Sequence, residues 1–195
     1  MTTISDLSRR DFSEVFPTFC EISAKETSPI RHAVLWPSIP LSSQLLPFDI
    51  LPTTSHHGAF LPHSSSSPPT LIACLTITLE RYAHPHHLDP VITARAREHY
   101  QLHKFGVLQE YQGRGIGKKL LLEAIRQLRR RIGDEGPVLL HFDARETQIG
   151  FYEKLGFVVL EDERIVKRGP TGNGPPVMYQ RMGMLVQSSH GYLFG

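Results

Sequence analysis

Cysteine is scarce in this chain. Its 195 residues hold two, Cys20 and Cys74, far apart and each in an apolar context. That excludes a disulfide framework and a cysteine-rich zinc motif. It predicts two small core side chains in a reducing compartment. Long hydrophobic runs are lacking too, so no stretch is long enough to cross a bilayer as a helix. The opening MTTISDLSRRDFSEV has no apolar signal core. Charge of one sign is absent: 21 Lys and Arg against 19 Asp and Glu leave +2. No polyanion partner follows from that balance, and Arg129–Arg131 reads as the cationic end of a helix. The expectation is a cytoplasmic protein, with the nucleus left open, that binds neither nucleic acid nor membrane.

Regular metal spacing is also missing. The histidines of HPHHLD (84–89) match no ligand pattern and read as a solvated loop, so no metal is expected. No internal repeat occurs. The length suits one domain over 15–183, with an N-terminal extension (1–14) and a C-terminal tail (184–195).

What is present is an alternation of strand and helix signals. VFPTFCEIS (15–23) reads as a strand, 24–36 as weakly helical around Pro29, and the proline-rich 37–55 as a loop. HHGAFLP (56–62) and TLIACLTITLE (70–80) form a hairpin across the low-complexity SSSSPP. The second arm is apolar throughout, as expected of a strand buried on both faces. Residues 81–99 form a second irregular insertion, and 100–108 another strand. Ile116, Leu120, Leu121, Ala124, Ile125 and Leu128 mark one face of a helix ended by Gly133 and Gly136. A strand (137–144), a short helix (147–156) capped by Thr147 and closed by Gly156, and strands at 157–161 and 177–182 follow. The class is α+β with a mixed sheet.

The long helix opens on QEYQGRGIGKKLL, with Gly113, Gly115 and Gly117. Glycine costs helix stability, so these positions need an unusual turn or a close approach. A Walker loop fails at Gln112 and Lys119. A dinucleotide fingerprint fails at Lys118 or Leu120. The pattern that fits is Q-x-x-G-x-G over Gln112, Gly115 and Gly117, between a strand and an amphipathic helix. Such a helix start offers bare N–H groups to phosphate oxygens.

Here VLQEYQGRGIGKKLL resembles the signature of the GNAT superfamily of N-acetyltransferases, and ARETQIGFYEKLGF (144–157) resembles that family's short helix after the fifth strand. The resemblance covers residues 100–160. It implies a mostly antiparallel sheet splayed at the cofactor site and flanked by helices. It implies acetyl-CoA as cosubstrate, with the pyrophosphate on residues 112–118: Gln112, Gly113, Arg114, Gly115, Ile116, Gly117 and Lys118, with Lys119 adding charge. Phe105, Gly106 and Val107 would pair with the pantetheine arm, Gly106 suiting a bulge, and Asp143 would lie beside the cofactor. Gln109 stands where the family often has proline, a harmless departure.

By the same resemblance an amine attacks the thioester directly, Tyr152 protonates the departing thiolate, and the Val107 N–H supports the oxyanion. The family's common carboxylate base falls on Gln101, which cannot accept the proton. His103, two residues on along the same face, can. His141, Asp143, Glu80 and a water chain are the rivals. The acceptor is expected to be a primary amine of a small molecule. A protein lysine or N-terminal acetyltransferase, and a catalytically weak CoA-binding sensor, are the alternatives. The insertions 37–55 and 81–99 are expected to wall the acceptor site, and a homodimer is possible.

Overall fold

A computed structural model describes residues 16–62 and 68–187. The expected N-terminal arm, the serines of the hairpin connection and the end of the tail lie outside the described residues.

Seven strands form one open sheet: β1 Thr18–Ile22, β2 Ser55–Leu61, β3 Thr70–Leu79, β4 His99–Val107, β5 Val138–Arg145, β6 Val158–Lys167 and β7 Val177–Val186. Their spatial order is β1-β2-β3-β4-β5-β7-β6. Every neighbouring pair is antiparallel except β4 and β5. β6 and β7 outrun the strands expected at 157–161 and 177–182.

The helix α3, Ile116–Ile132, buries the face read from its periodicity, with Leu120, Leu121 and Ala124 fully enclosed. It lies over β2, β3 and β4. The opposite face is covered by a helical segment over 24–35, whose central turn is α1, Ser28–Ile30. Pro29 sits in the first turn of α1, where its missing N–H costs nothing. Covered on both sides, Ile72 to Thr78 of β3 is buried throughout. Cys74 belongs to this layer. Cys20, expected in the core, is exposed on the edge strand β1.

The loop 37–55 holds two short 3-10 turns, Leu41–Ser43 and Pro47–Ile50, but its anchor is ionic. The fully buried Arg31 guanidinium donates to Asp49 Oδ2 at 2.5 Å and Oδ1 at 2.8 Å, to Thr76 Oγ1 at 2.9 Å and to the Gln44 carbonyl at 3.1 Å. One arginine thus ties the helical segment and the loop to β3. The second insertion contains α2, Pro90–Arg95, started by Asp89 accepting from the Val91 N–H.

The final helix, α4, Ile149–Glu153, follows a 3-10 turn at Glu146–Gln148. The Thr147 cap is not formed: Thr147 lies inside that turn, and α4 begins after Gln148 with no side-chain cap. Gly156 closes the helix as expected, at φ +88°.

Candidate active-site cleft

The site begins with a parting of strands. β4 and β5 pair only from His99 to Gln101 against Leu139 to His141. Beyond that point β4 stays on β3 and β5 stays on β7, so a gap opens between them. β4 also carries a bulge, since Thr76 faces His103 and Cys74 faces Gly106, leaving Lys104 and Phe105 opposite Leu75 alone. Lys104 takes φ +49° there. Gly106, expected to make the bulge, is in register. Ile30 and Val34 pass over it, 3.4 Å from where a Cβ would stand.

Ladder alternation decides which backbone groups face the gap. The Leu108 N–H donates to the Ile72 carbonyl at 2.9 Å. Gly106 therefore also points its polar groups at β3, while Val107 points away from it. Gln112 Nε2 caps the outward Val107 carbonyl at 2.9 Å, and the Val107 N–H faces the gap beside it. Phe105 and Val107 can thus offer backbone bonds to an extended ligand; Gly106 cannot.

The start of α3 forms the next wall. Its N-cap is Gly115 at φ +75°, with no capping side chain, so the first-turn N–H groups at Ile116, Gly117 and Lys118 have no intrahelical partner. Gly113 is likewise at φ +73°. Around both, the space for a Cβ is open, so their requirement is conformational. Gly117 is different: a Cβ there would meet Phe105 at 3.2 Å and Val107 at 3.4 Å. Gln112 departs from expectation, because its own N–H is spent on the Gln109 carbonyl. Arg114 lies over the Tyr111 ring and Lys119 over Phe16, both off the cleft wall, so of the three cations at the helix start only Lys118 lines it.

The gap and the helix start share one cleft of about 960 Å³. Tyr152 lines it from α4, packed 4.4 Å from the Phe142 ring and edge-on to Phe157. Burial raises its phenol well above the ordinary value. His103 lines the other end. Its Nε2 is 3.0 Å from Glu80 Oε2, and its ring stacks on Phe48 at 4.4 Å. Burial lowers its pKa, against the opposing pull of Glu80. The bond to Glu80 spans two adjacent strands, so the sequence shows the two residues only as separate candidates.

Other residues sort clearly. Gln101 lines the cleft, and Asp143 does so while paired with Lys167. His141 commits Nε2 to the Glu80 carbonyl at 2.9 Å and does not line it. Neither insertion contributes a lining residue, contrary to expectation: 37–55 comes only as near as Phe48, stacked on the His103 ring, and 81–99 supplies none. Two groups escaped the sequence reading. Lys104 holds its ammonium 4.0 Å over the Trp36 ring, its pKa brought down to about 8 by burial and then by Arg31. The turn after β6 adds Gly169 and Pro170. No spacing rule would have joined Trp36, Lys104 and Pro170.

The three histidines dismissed on spacing do converge. One ligating atom from each of His84, His86 and His87 lies within 4.8 Å of the others.

Comparison with known proteins agrees with this geometry. Residues 76–159 match the family model of the Acetyltransferase (GNAT) domain. No curated protein matches the sequence. Among solved structures, NAA60 from Arabidopsis thaliana, in complex with acetyl-CoA, superposes with a TM-score of 0.58 at 14% identity, over 88% of this chain and 99% of its own. The yncA protein from Salmonella typhimurium, solved with its cofactor acetyl-CoA, gives 0.57 at 14% identity, over 88% and 94%. The ribosomal-protein-S18-alanine N-acetyltransferase from Escherichia coli gives 0.51 at 14%, over 92% and 100%. At such identities the likeness is one of fold.

Proposed function

We propose, from the match of residues 76–159 to the GNAT acetyltransferase domain and from the cleft described above, that the chain is an N-acetyltransferase moving an acetyl group from acetyl-CoA to a primary amine. The observation that carries this reading is the β4–β5 gap opening onto the uncapped start of α3. An extended pantetheine arm fits such a gap as an added strand, and a pyrophosphate fits three bare N–H groups beside Lys118. When bound, acetyl-CoA supplies an activated acyl thioester.

The chain's own residues supply the rest. The Phe105 and Val107 backbones fix the depth of the arm. The Val107 N–H, facing the gap, donates to the thioester oxygen as negative charge gathers there. Tyr152 holds its proton at neutral pH, because burial favours the neutral phenol, and delivers it to the departing sulfur. His103 is held neutral by burial and oriented by Glu80, so it accepts the proton of the attacking amine. Glu80 is a positioning residue that stabilises the imidazolium once formed.

The acceptor end supports a small amine. Trp36, Lys167, Gly169 and Pro170 line the cleft together with His103, a concave setting that suits a compact acceptor. The test is calorimetry with acetyl-CoA, run beside thiol release across a panel of amines and lysine- or N-terminal-amine peptides. Acetyl-CoA binding with thiol released by small amines is the expected result. Absence of binding overturns the reading. Binding with no release from any acceptor leaves a CoA-binding module, and faster release from peptides shifts the acceptor to protein.

A further inference from the structure

We propose that His84, His86 and His87 form a divalent transition-metal site, of the kind that takes Zn²⁺, which clamps the 81–89 loop onto β6. The rings approach closely: the His86 and His87 centroids are 4.2 Å apart and those of His84 and His87 5.9 Å. The backbone arranges this. Pro85 starts a 3-10 turn, Pro85–His87, with His84 at its head. Pro90 and the Asp89 cap then fix the exit. Little chain entropy is left to lose when the rings gather on an ion.

A separate observation points to coordination. Glu161 on β6 has a side chain only 1% exposed, and its Oε2 lies 3.2 Å from His87 Nδ1. Tyr82 Oη and Arg181 donate to the same carboxylate and hold it still. A fixed carboxylate on one imidazole nitrogen sets the tautomer and leaves the other nitrogen bare for a metal, the arrangement found behind metal-bound histidines. Tetrahedral coordination at Zn–N distances of about 2.0–2.1 Å sets ligand nitrogens about 3.4 Å apart. The 4.8 Å envelope closes to that by side-chain rotation, since His86 and His87 are exposed. Three nitrogens leave the fourth position to water.

The clamp bears on the cleft from behind. Tyr82, which holds Glu161, meets the His141 ring edge-on at 5.1 Å, and His141 bonds the Glu80 carbonyl. None of His84, His86, His87 and Glu161 lines the cleft, so the site stands or falls independently of the acyl chemistry.

Calorimetry of the chelator-washed full chain, free of any polyhistidine tag, with ZnCl₂ as the probe decides the matter. One Zn²⁺ per chain at micromolar affinity or tighter, with a thermal midpoint that rises on addition, is expected. His86→Ala and His87→Ala, both at exposed positions, should each abolish the heat. Glu161→Gln should weaken binding about 10–100-fold. Cys20→Ser, which removes the exposed thiol, should change nothing. No binding by the unmodified chain, or binding that persists in His86→Ala and His87→Ala, or that vanishes in Cys20→Ser, overturns the assignment.

Discussion

In the proposed mechanism Tyr152 and His103 have opposite protonic duties, and burial moves each in the direction that duty would require. It raises the phenol, which keeps a proton to give, and lowers the imidazole, which stays free to take one. Tyr152→Phe is expected to lower kcat by ~10²–10⁴-fold, the usual worth of a general acid. Acetyl-CoA affinity by calorimetry should stay near that of the parent, because the Phe142 and Phe157 contacts belong to the ring. A second expectation concerns the acceptor. Stripping a lysine-like amine, with a pKa of about 10.4, costs roughly 4–5 kcal/mol near neutrality, whereas an amine of pKa about 8 costs only about 1. A base with a depressed pKa cannot make up that difference. At neutral pH, kcat/KM should therefore favour weakly basic amines, and the preference should narrow as the pH rises toward that of the stronger amines. His103→Ala should remove most activity at neutral pH and progressively less above it. A silent His103→Ala would move the base elsewhere.

The elements around the cleft show why motif and geometry differ. The glycine pattern reads in the sequence as one motif, but its three glycines serve different ends. Gly113 and Gly115 supply positive φ; Gly117 makes room for Phe105 and Val107. Gly115→Asp should abolish acetyl-CoA binding by placing a carboxylate at the phosphate position. Gly115→Ala should retain most binding while losing about 1–2 kcal/mol of stability to the left-handed backbone. Paired calorimetry and urea titration separate the two effects. The helical segment and the loop 37–55 depend on Arg31 and Asp49. Arg31→Met should cost about 3–5 kcal/mol, because it strands a buried carboxylate. The double variant Arg31→Met/Asp49→Leu should recover part of that loss, as read from denaturant midpoints.

Over the whole molecule, buried histidines make stability fall in acid. His57 is 2% exposed, and its pKa is lowered by burial to about 4. Burial also lowers His56, His99 and His141. The unfolded chain binds these protons from a pH of about 6.5 downward, while the native chain refuses them. The His57 contribution is complete above that pH and lost as pH drops toward about 4. At roughly 1.4 kcal/mol per unit it amounts to about 3 kcal/mol. Asp49 adds a lower step. Its burial acts upward, but bonds from Arg31 and the Leu46 N–H outweigh that and leave it depressed. Its share is therefore kept above the ordinary carboxylate range and lost below it. Urea midpoints measured between pH 7 and pH 4 should fall steadily, and His57→Gln should flatten that slope.

Local chemistry, carried by neighbouring residues, was settled by the sequence itself. The apolar face of α3, the buried run of β3 and the Q-x-x-G-x-G turn all follow from spacing along the chain, because period and backbone freedom are short-range properties. Tertiary structure alone decided the rest. It set the Arg31–Asp49 pair across 18 residues and the His103–Glu80 bond across 23. It moved Thr147 off its expected cap, turned Gly106 back toward β3, and gathered three histidines whose spacing had argued against them. Each outcome depends on strand register and on where a loop lands, and these are fixed by contacts between distant segments rather than by any local pattern.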